Sequence, residues 1–291
     1  MFQNHNKSVL TVKSVNDIRT ELSRTNYFEP QSRIINGIDA ISGQFPYYVR
    51  ITIFEGYLSS CGGIILAANW ILTAGHCVKS DSGTYSISLI EAGFVSILPG
   101  LPSIPSQIIS PVPLSSSAHL KVFIHPLYTV NDVETVFDIA IIHVNSDFSF
   151  NLNGPNVKAV ALPQSTYTVT DTYANKMATV CGFGLTSNEG STSTTLKYTA
   201  LKIIPYSTCQ EIYGADEVIP LTSFCGVHEA PTAVGAMCSG DSGGPVVLTI
   251  DNVVTVIGVV SYASKDGCNT KPQGFTDILQ MLPWITDTMA T

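Results

Sequence analysis

From residue 33 onward no apolar run in the chain is long. Short β-branched stretches at 47–53, 63–66, 70–73, 120–124, 139–144, 178–181, 197–204, 245–250 and 253–262 recur at about ten-residue spacing, broken by Gly, Pro, Asn or Ser. That punctuation leaves little room for helical periodicity and predicts an all-β sandwich or barrel. The end of the chain is the exception. There Leu279, Leu282, Ile285 and Met289 repeat at helical spacing with Pro283 near the start, and a single C-terminal helix is expected. Between 94 and 114 the prolines Pro99, Pro102, Pro105, Pro111 and Pro113 resist regular ladder pairing and predict a loop or sheet edge.

The chain has 291 residues, 45% hydrophobic and 12% charged, enough apolar material for a substantial core and too little charge for a disordered chain. With 14 Lys+Arg against 22 Asp+Glu, it offers phosphate backbones and anionic lipid little attraction, so nucleic acid is not an expected partner. Its longest apolar runs, 62–68 and 253–260, fall well short of the ~20 residues that cross a bilayer. Seven cysteines without a CxxC pair, an HExxH or a His-x3-His read as a disulfide framework rather than a metal site, which implies an oxidising compartment. The first eight residues lack the charged-then-apolar pattern of a secretory signal. Either the signal is missing from this chain or the redox argument fails; the expectation is a secreted protein whose signal is not present. Residues 1–33 contain no cysteine and end in Pro30-Gln31-Ser32-Arg33, a composition suited to a mobile, removable leader.

Three segments place a reactive group among apolar or glycine neighbours: Thr73-Ala-Gly-His76-Cys77, Asp138-Ile-Ala-Ile-Ile142 and Cys238-Ser-Gly-Asp241-Ser242-Gly-Gly-Pro245. A hydroxyl is a poor nucleophile unless a base takes its proton, and an imidazole does so best when a buried carboxylate fixes its tautomer. Ser242, His76 and Asp138 supply those groups. The glycines allow a sharp turn in which the N–H groups of Gly240 and Ser242 point at one oxygen. Taken alone, each segment has a plainer reading: a packed histidine, an aspartate capping a turn, a tight hairpin. Gly240-Asp-Ser242-Gly-Gly244 also fits the nucleophile elbow of α/β-hydrolases. That fold needs a histidine after the serine, and all six histidines precede Ser242.

The three motifs in the order His, Asp, Ser resemble the trypsin and chymotrypsin family of serine proteases, from about Ile34 to the C-terminus. The resemblance implies two six-stranded antiparallel β-barrels with a C-terminal helix: a leader at 1–33, a first barrel at 34–160, and a second barrel with the helix at 161–291. It implies a serine endopeptidase working through an acyl-enzyme in the cleft between the barrels, acting on protein or peptide substrates as a monomer with no cofactor. A non-catalytic homologue that binds through its surface is the alternative. Ser261 matches the serine that supports the triad aspartate, and substrate is expected to add as a strand along 261–263. Arg33-Ile34-Ile-Asn-Gly37 resembles an activation junction: a protease with arginine specificity cuts after Arg33, and the freed amine of Ile34 pairs with Asp241. Disulfides are implied between Cys61 and Cys77, Cys209 and Cys225, and Cys238 and Cys268, with Cys181 left as a buried thiol. The floor and walls of the specificity pocket match Ala236, Met237, Tyr262, Ala263 and, depending on the alignment of 271–275, Gln273 or Gly274, without the aspartate that selects Lys or Arg, so an apolar P1 residue is expected. Protein inhibitors are further expected partners. Acidic calcium-loop ligands have no clear match, Glu91 standing almost alone, and no metal is expected.

Overall fold

A run such as Ala140-Ile-Ile-His-Val144 has no polar side suited to water apart from His143, and its other four residues are buried, as a central strand requires. In a computed structural model, which describes residues 37–54, 58–79, 87–93, 107–109, 120–130, 135–145, 149–164, 171–185, 191–215, 217–228, 236–264, 266–268 and 270–291, such runs become strands. In chain order they are β1 (Ile38–Asp39), β2 (Tyr48–Phe54), β3 (Leu58–Ala67), β4 (Trp70–Thr73), β5 (Ile87–Ala92), β6 (Gln107–Ile109), β7 (Leu120–Ile124), β8 (Thr129–Val130), β9 (Thr135–Val136), β10 (Ala140–Val144), β11 (Met177–Gly182) and β12 (Lys197–Ile204). Helix α1 (Tyr206–Tyr213), β13 (Ser223–Val227), β14 (Pro245–Ile250), β15 (Val253–Tyr262), β16 (Gln273–Asp277) and α2 (Ile278–Met289) complete the chain.

Two antiparallel sheets result. The first runs β6-β5-β2-β3-β4-β10-β7; among the described residues its edge strands β6 and β7 do not pair. The second runs β12-β11-β14-β15-β16-β13 and closes into a six-stranded barrel through β13 on β12. Strand β1 is a seventh member, pairing with β12 and held by an ion pair between Asp39 and the buried Lys197. The chain therefore crosses between the halves at both ends. While β1 joins the second sheet, α2 inserts Ile278, Met281 and Ile285 into the core built mainly from β2, β3, β4, β5 and β10.

Helix α2 starts where Asp277 Oδ1 accepts from Leu279 N–H at 2.9 Å, an N-cap that satisfies an otherwise orphan donor. Pro283 lies inside the helix on its exposed side. The buried face is Ile278, Leu279, Met281, Ile285 and Thr288, with Leu282 and Met289 only half-buried. Helix α1 adds to the single helix expected. Eight residues are too few to show periodicity, and the Cys209–Cys225 disulfide ties it to β13. Within the proline-rich 94–114 segment, β6 forms a sheet edge on β5; residues 94–106 and 110–114 lie outside the described residues.

Candidate active site

His76 stands on a short 3-10 turn directly after β4, pinned by the Cys61–Cys77 disulfide to β3. Its backbone N–H donates to Asp138 Oδ1 at 2.9 Å and its Nδ1 meets Oδ2 at 2.8 Å. Ser261 Oγ, at the end of β15, donates to the same Oδ2 at 2.6 Å, and Thr276 Oγ1 in β16 donates to the Asp138 carbonyl at 2.8 Å. Asp138 is 1% exposed. Burial alone would raise its pKa, but the imidazole's charge and the bonds from His76 and Ser261 outweigh it and hold the carboxyl below the ordinary range. Burial pulls the His76 pKa down, and the adjacent carboxylate more than reverses this, leaving it above 6.5.

Ser242 lies in the turn between Cys238 and β14, half-buried. The turn is sewn to both sheets: Gly62 N–H on β3 donates to Ser242 O at 2.7 Å, and Gly243 N–H donates to Val260 O on β15 at 2.8 Å. Asp241 and Gly244 N–H bond within the turn, at 3.0 Å each. The N–H groups of Gly240 and Ser242 donate to nothing among the described residues, and Gly240 adopts φ +98°, a conformation that glycine accepts freely. Thus the Ser242 turn is bonded to both sheets, and the His76–Asp138 pair of the first sheet is bonded to β15 and β16 of the second, at the seam between them. No hydrogen bond joins Ser242 Oγ to His76 Nε2 here; bonds of this kind often tighten only with substrate present.

Asp241 is fully buried, with Gly184 N–H on its Oδ1 at 2.7 Å and Cys238 N–H on Oδ2 at 2.9 Å. Burial pushes its carboxyl up to about 7 against those two donors, and among the described residues no cation pairs with it. Gly182 and Gly184 press against this carboxylate so closely that a Cβ on either would overlap it. Sequence reasoning did not single out these glycines; Cys181-Gly182-Phe183-Gly184 was the available signal. Cys181 is indeed free and buried, and burial together with the Asp241 charge pushes its thiol pKa up. Thr276 was also missed; a lone threonine in a polar run carries no signal. Arg33 and Ile34 lie outside the described residues.

The Cys238–Cys268 disulfide closes beside Gln273. The Gln273 amide donates to Met237 O at 2.7 Å and Cys268 O at 3.2 Å, spanning the two segments that the disulfide joins. Ala236 and Met237 are buried, and Met237 packs into the second barrel's core. Tyr262 turns its ring over Gly274 and toward Tyr213, with centroids 6.3 Å apart; Ala263 is half-buried.

Of the other histidines, His143 bonds Asn69 Nδ2 at 2.8 Å and packs on Trp70 at 4.2 Å, and neither it nor His125 contacts Ser242. Glu91 has Arg50 as an ion-pair partner at 3.7 Å. The donor atoms of Cys61, His76 and Cys77 lie within 4.8 Å of one another, but both sulfurs are committed to their disulfide.

Comparison with known proteins gives a match to the trypsin family model over residues 34–285. Chymotrypsin-like elastase family member 3B of Homo sapiens is 31% identical over 268 residues, covering 90% of this chain and 91% of that protein. Proproteinase E of Bos taurus is 28% identical over 271 residues, covering 91% and 98%. Serine proteinase stubble of Drosophila melanogaster is 29% identical over 285 residues, covering 95% of this chain and 33% of that protein.

Proposed function

Because the chain belongs to the trypsin family and is a serine endopeptidase, we propose that Ser242 is its nucleophile, His76 its general base and acid, and Asp138 the carboxylate that orients the imidazole. The observation that carries this reading is the doubly bonded pair of His76 and Asp138, buttressed by Ser261, on the seam that also holds the Ser242 turn. With Nδ1–H committed to Asp138, Nε2 is the lone-pair nitrogen that takes the Ser242 proton as Oγ attacks the scissile carbonyl. The carbonyl oxygen becomes an oxyanion, which the free N–H groups of Gly240 and Ser242 stabilise; one such donor is worth about 10²–10³ in rate. The imidazolium then gives its proton to the leaving amine, and the acyl-enzyme on Ser242 remains. Water, deprotonated by His76, attacks the ester and regenerates the serine.

Beyond Val260, β15 has β16 on one side and no strand on the other among the described residues. Substrate would extend there along 261–263 as an added strand. None of the residues matched to the pocket, Ala236, Met237, Tyr262, Ala263 and Gln273, carries a carboxylate, which favours an uncharged, apolar P1 residue, in keeping with the elastase names of the relatives. Asp266 is exposed and lies 3.9 Å from Lys271, which partly offsets its charge. A cut after Arg33 would free the Ile34 amine, and the unpaired buried Asp241 is the partner it would seek; a relative is itself named as a proproteinase. Three disulfides fit secretion.

A fluorophosphonate probe, applied before and after limited tryptic cleavage with mass spectrometry of cut and label, tests the reading. Label on Ser242 only after a cut at Arg33 is the expected result. Ser242→Ala should abolish both label and turnover with folding intact, and Arg33→Gln should block activation. A clean cut without label would replace catalysis by a binding role.

A further inference from the structure

Phe137, the residue that delivers Asp138, is held against its own conformational preference. We propose that the aromatic stack of His125, Phe137 and Trp284 fixes where the Asp138 carboxylate points, making these three residues positioning groups for the triad, on whose reading this inference rests.

Phe137 has φ 52°, a left-handed conformation that is uncommon for a bulky side chain. The turn it opens is tight: Ile139 N–H donates to Phe137 O at 2.8 Å, so Asp138 occupies the middle of a three-residue turn just before β10. Rotation at Phe137 would swing the carboxylate away from His76 and Ser261, its partners on two elements. What opposes that rotation is outside the backbone. The Phe137 ring lies flat on the His125 imidazole, with centroids 4.5 Å apart and planes at 5°. The opposing imidazole packs edge-on against Trp284 of α2 at 5.1 Å and 61°. His125 is itself anchored twice, its N–H donating to Ile139 O at 3.1 Å and its Nδ1 accepting from Leu127 N–H at 3.2 Å. Burial lowers the His125 pKa, consistent with a neutral ring serving as a packing surface. Glycine or asparagine would adopt the turn with less strain. A phenylalanine there makes the turn depend on the stack, and so links the C-terminal helix to the catalytic carboxylate.

Four variants test this: Phe137→Val, which removes the ring and disfavours the left-handed turn; Phe137→Asn, which removes the ring but tolerates it; His125→Leu; and Trp284→Leu. Each is measured for kcat and KM on one peptide substrate, and for the His76 pKa by NMR in the Ser242→Ala background. Phe137→Val should lower kcat about tenfold with KM nearly unchanged, and should lower the His76 pKa as the carboxylate drifts. His125→Leu and Trp284→Leu should move both readouts the same way by a smaller factor, while Phe137→Asn stays within about threefold of the parent. Equal losses in Phe137→Val and Phe137→Asn, or an unmoved His76 pKa in Phe137→Val, His125→Leu and Trp284→Leu, would overturn the proposal. If Phe137→Val does not fold, His125→Leu against Phe137→Asn makes the same comparison. The NMR readout needs no turnover, so failure of the triad itself, seen as absent labelling of Ser242 in the parent, is distinguishable.

Discussion

At the scale of single residues, the Asp138 carboxylate illustrates what a buried charge requires. Nearly sealed from water, it accepts from His76 N–H, from Nδ1 and from Ser261 Oγ, and removing any of these leaves an unsatisfied buried acceptor. Asp138→Asn keeps the shape but presents an amide to the imidazole and favours the wrong tautomer; kcat measured on a peptide substrate should fall by about 10⁴. The same pair sets the pH response. Because Asp138 raises the His76 pKa above 6.5, the base is lost to protonation as pH falls, and the acid limb of kcat/KM should have its midpoint above that value in the parent enzyme.

At the scale of elements, the end of β11 matters as much as the reactive motifs do. Gly182 and Gly184 leave a gap that the Asp241 carboxylate fills, and no side chain fits there. Gly184→Ala should push Asp241 off Gly184 N–H, distort the adjoining Ser242 turn and slow fluorophosphonate labelling by about tenfold or more, with a lower thermal midpoint. Elements differed in how far the sequence announced them. Strands β4, β7, β12, β14 and β15 carry mostly apolar or β-branched runs and were legible. Strands β13 and β16 were not, since Ser-Phe-Cys-Gly-Val and Gln-Gly-Phe-Thr-Asp are short and broken by glycine and polar residues. The polar residues of β16 are buried because their side chains are bonded to specific partners. Gln273 spans two carbonyls, Thr276 holds the Asp138 carbonyl and Asp277 caps α2. The three motifs proposed as reactive could be picked out because the residues of each are neighbours in sequence. Asp241's glycine cradle and the Phe137 stack were not, since they depend on residues 57 apart or on a backbone angle.

At the scale of the whole molecule, the proposed pairing of Asp241 with a freed amine would tie stability to processing. Its folded pKa of about 7 exceeds the ~3.9 of an unfolded aspartate. The folded chain therefore binds that proton more tightly, and this group's contribution to the stability of the uncut protein is fully present below pH ~4 and is lost as pH rises through about 7. An ammonium arriving beside Asp241 would cancel that loss. In the Ser242→Ala protein, cleavage after Arg33 should raise the thermal midpoint at pH 8 and do so much less at pH 4. The exchanged ends act at this scale too. Cys61–Cys77 lies wholly in the first half and the other two disulfides wholly in the second, while Cys181 is free. The backbone between β10 and β11 is thus the sole covalent thread between halves that grip each other through β1 and α2. Were that thread cut, only the non-covalent grip of β1 and α2 would keep the two pieces together, and heat or denaturant would part them for good.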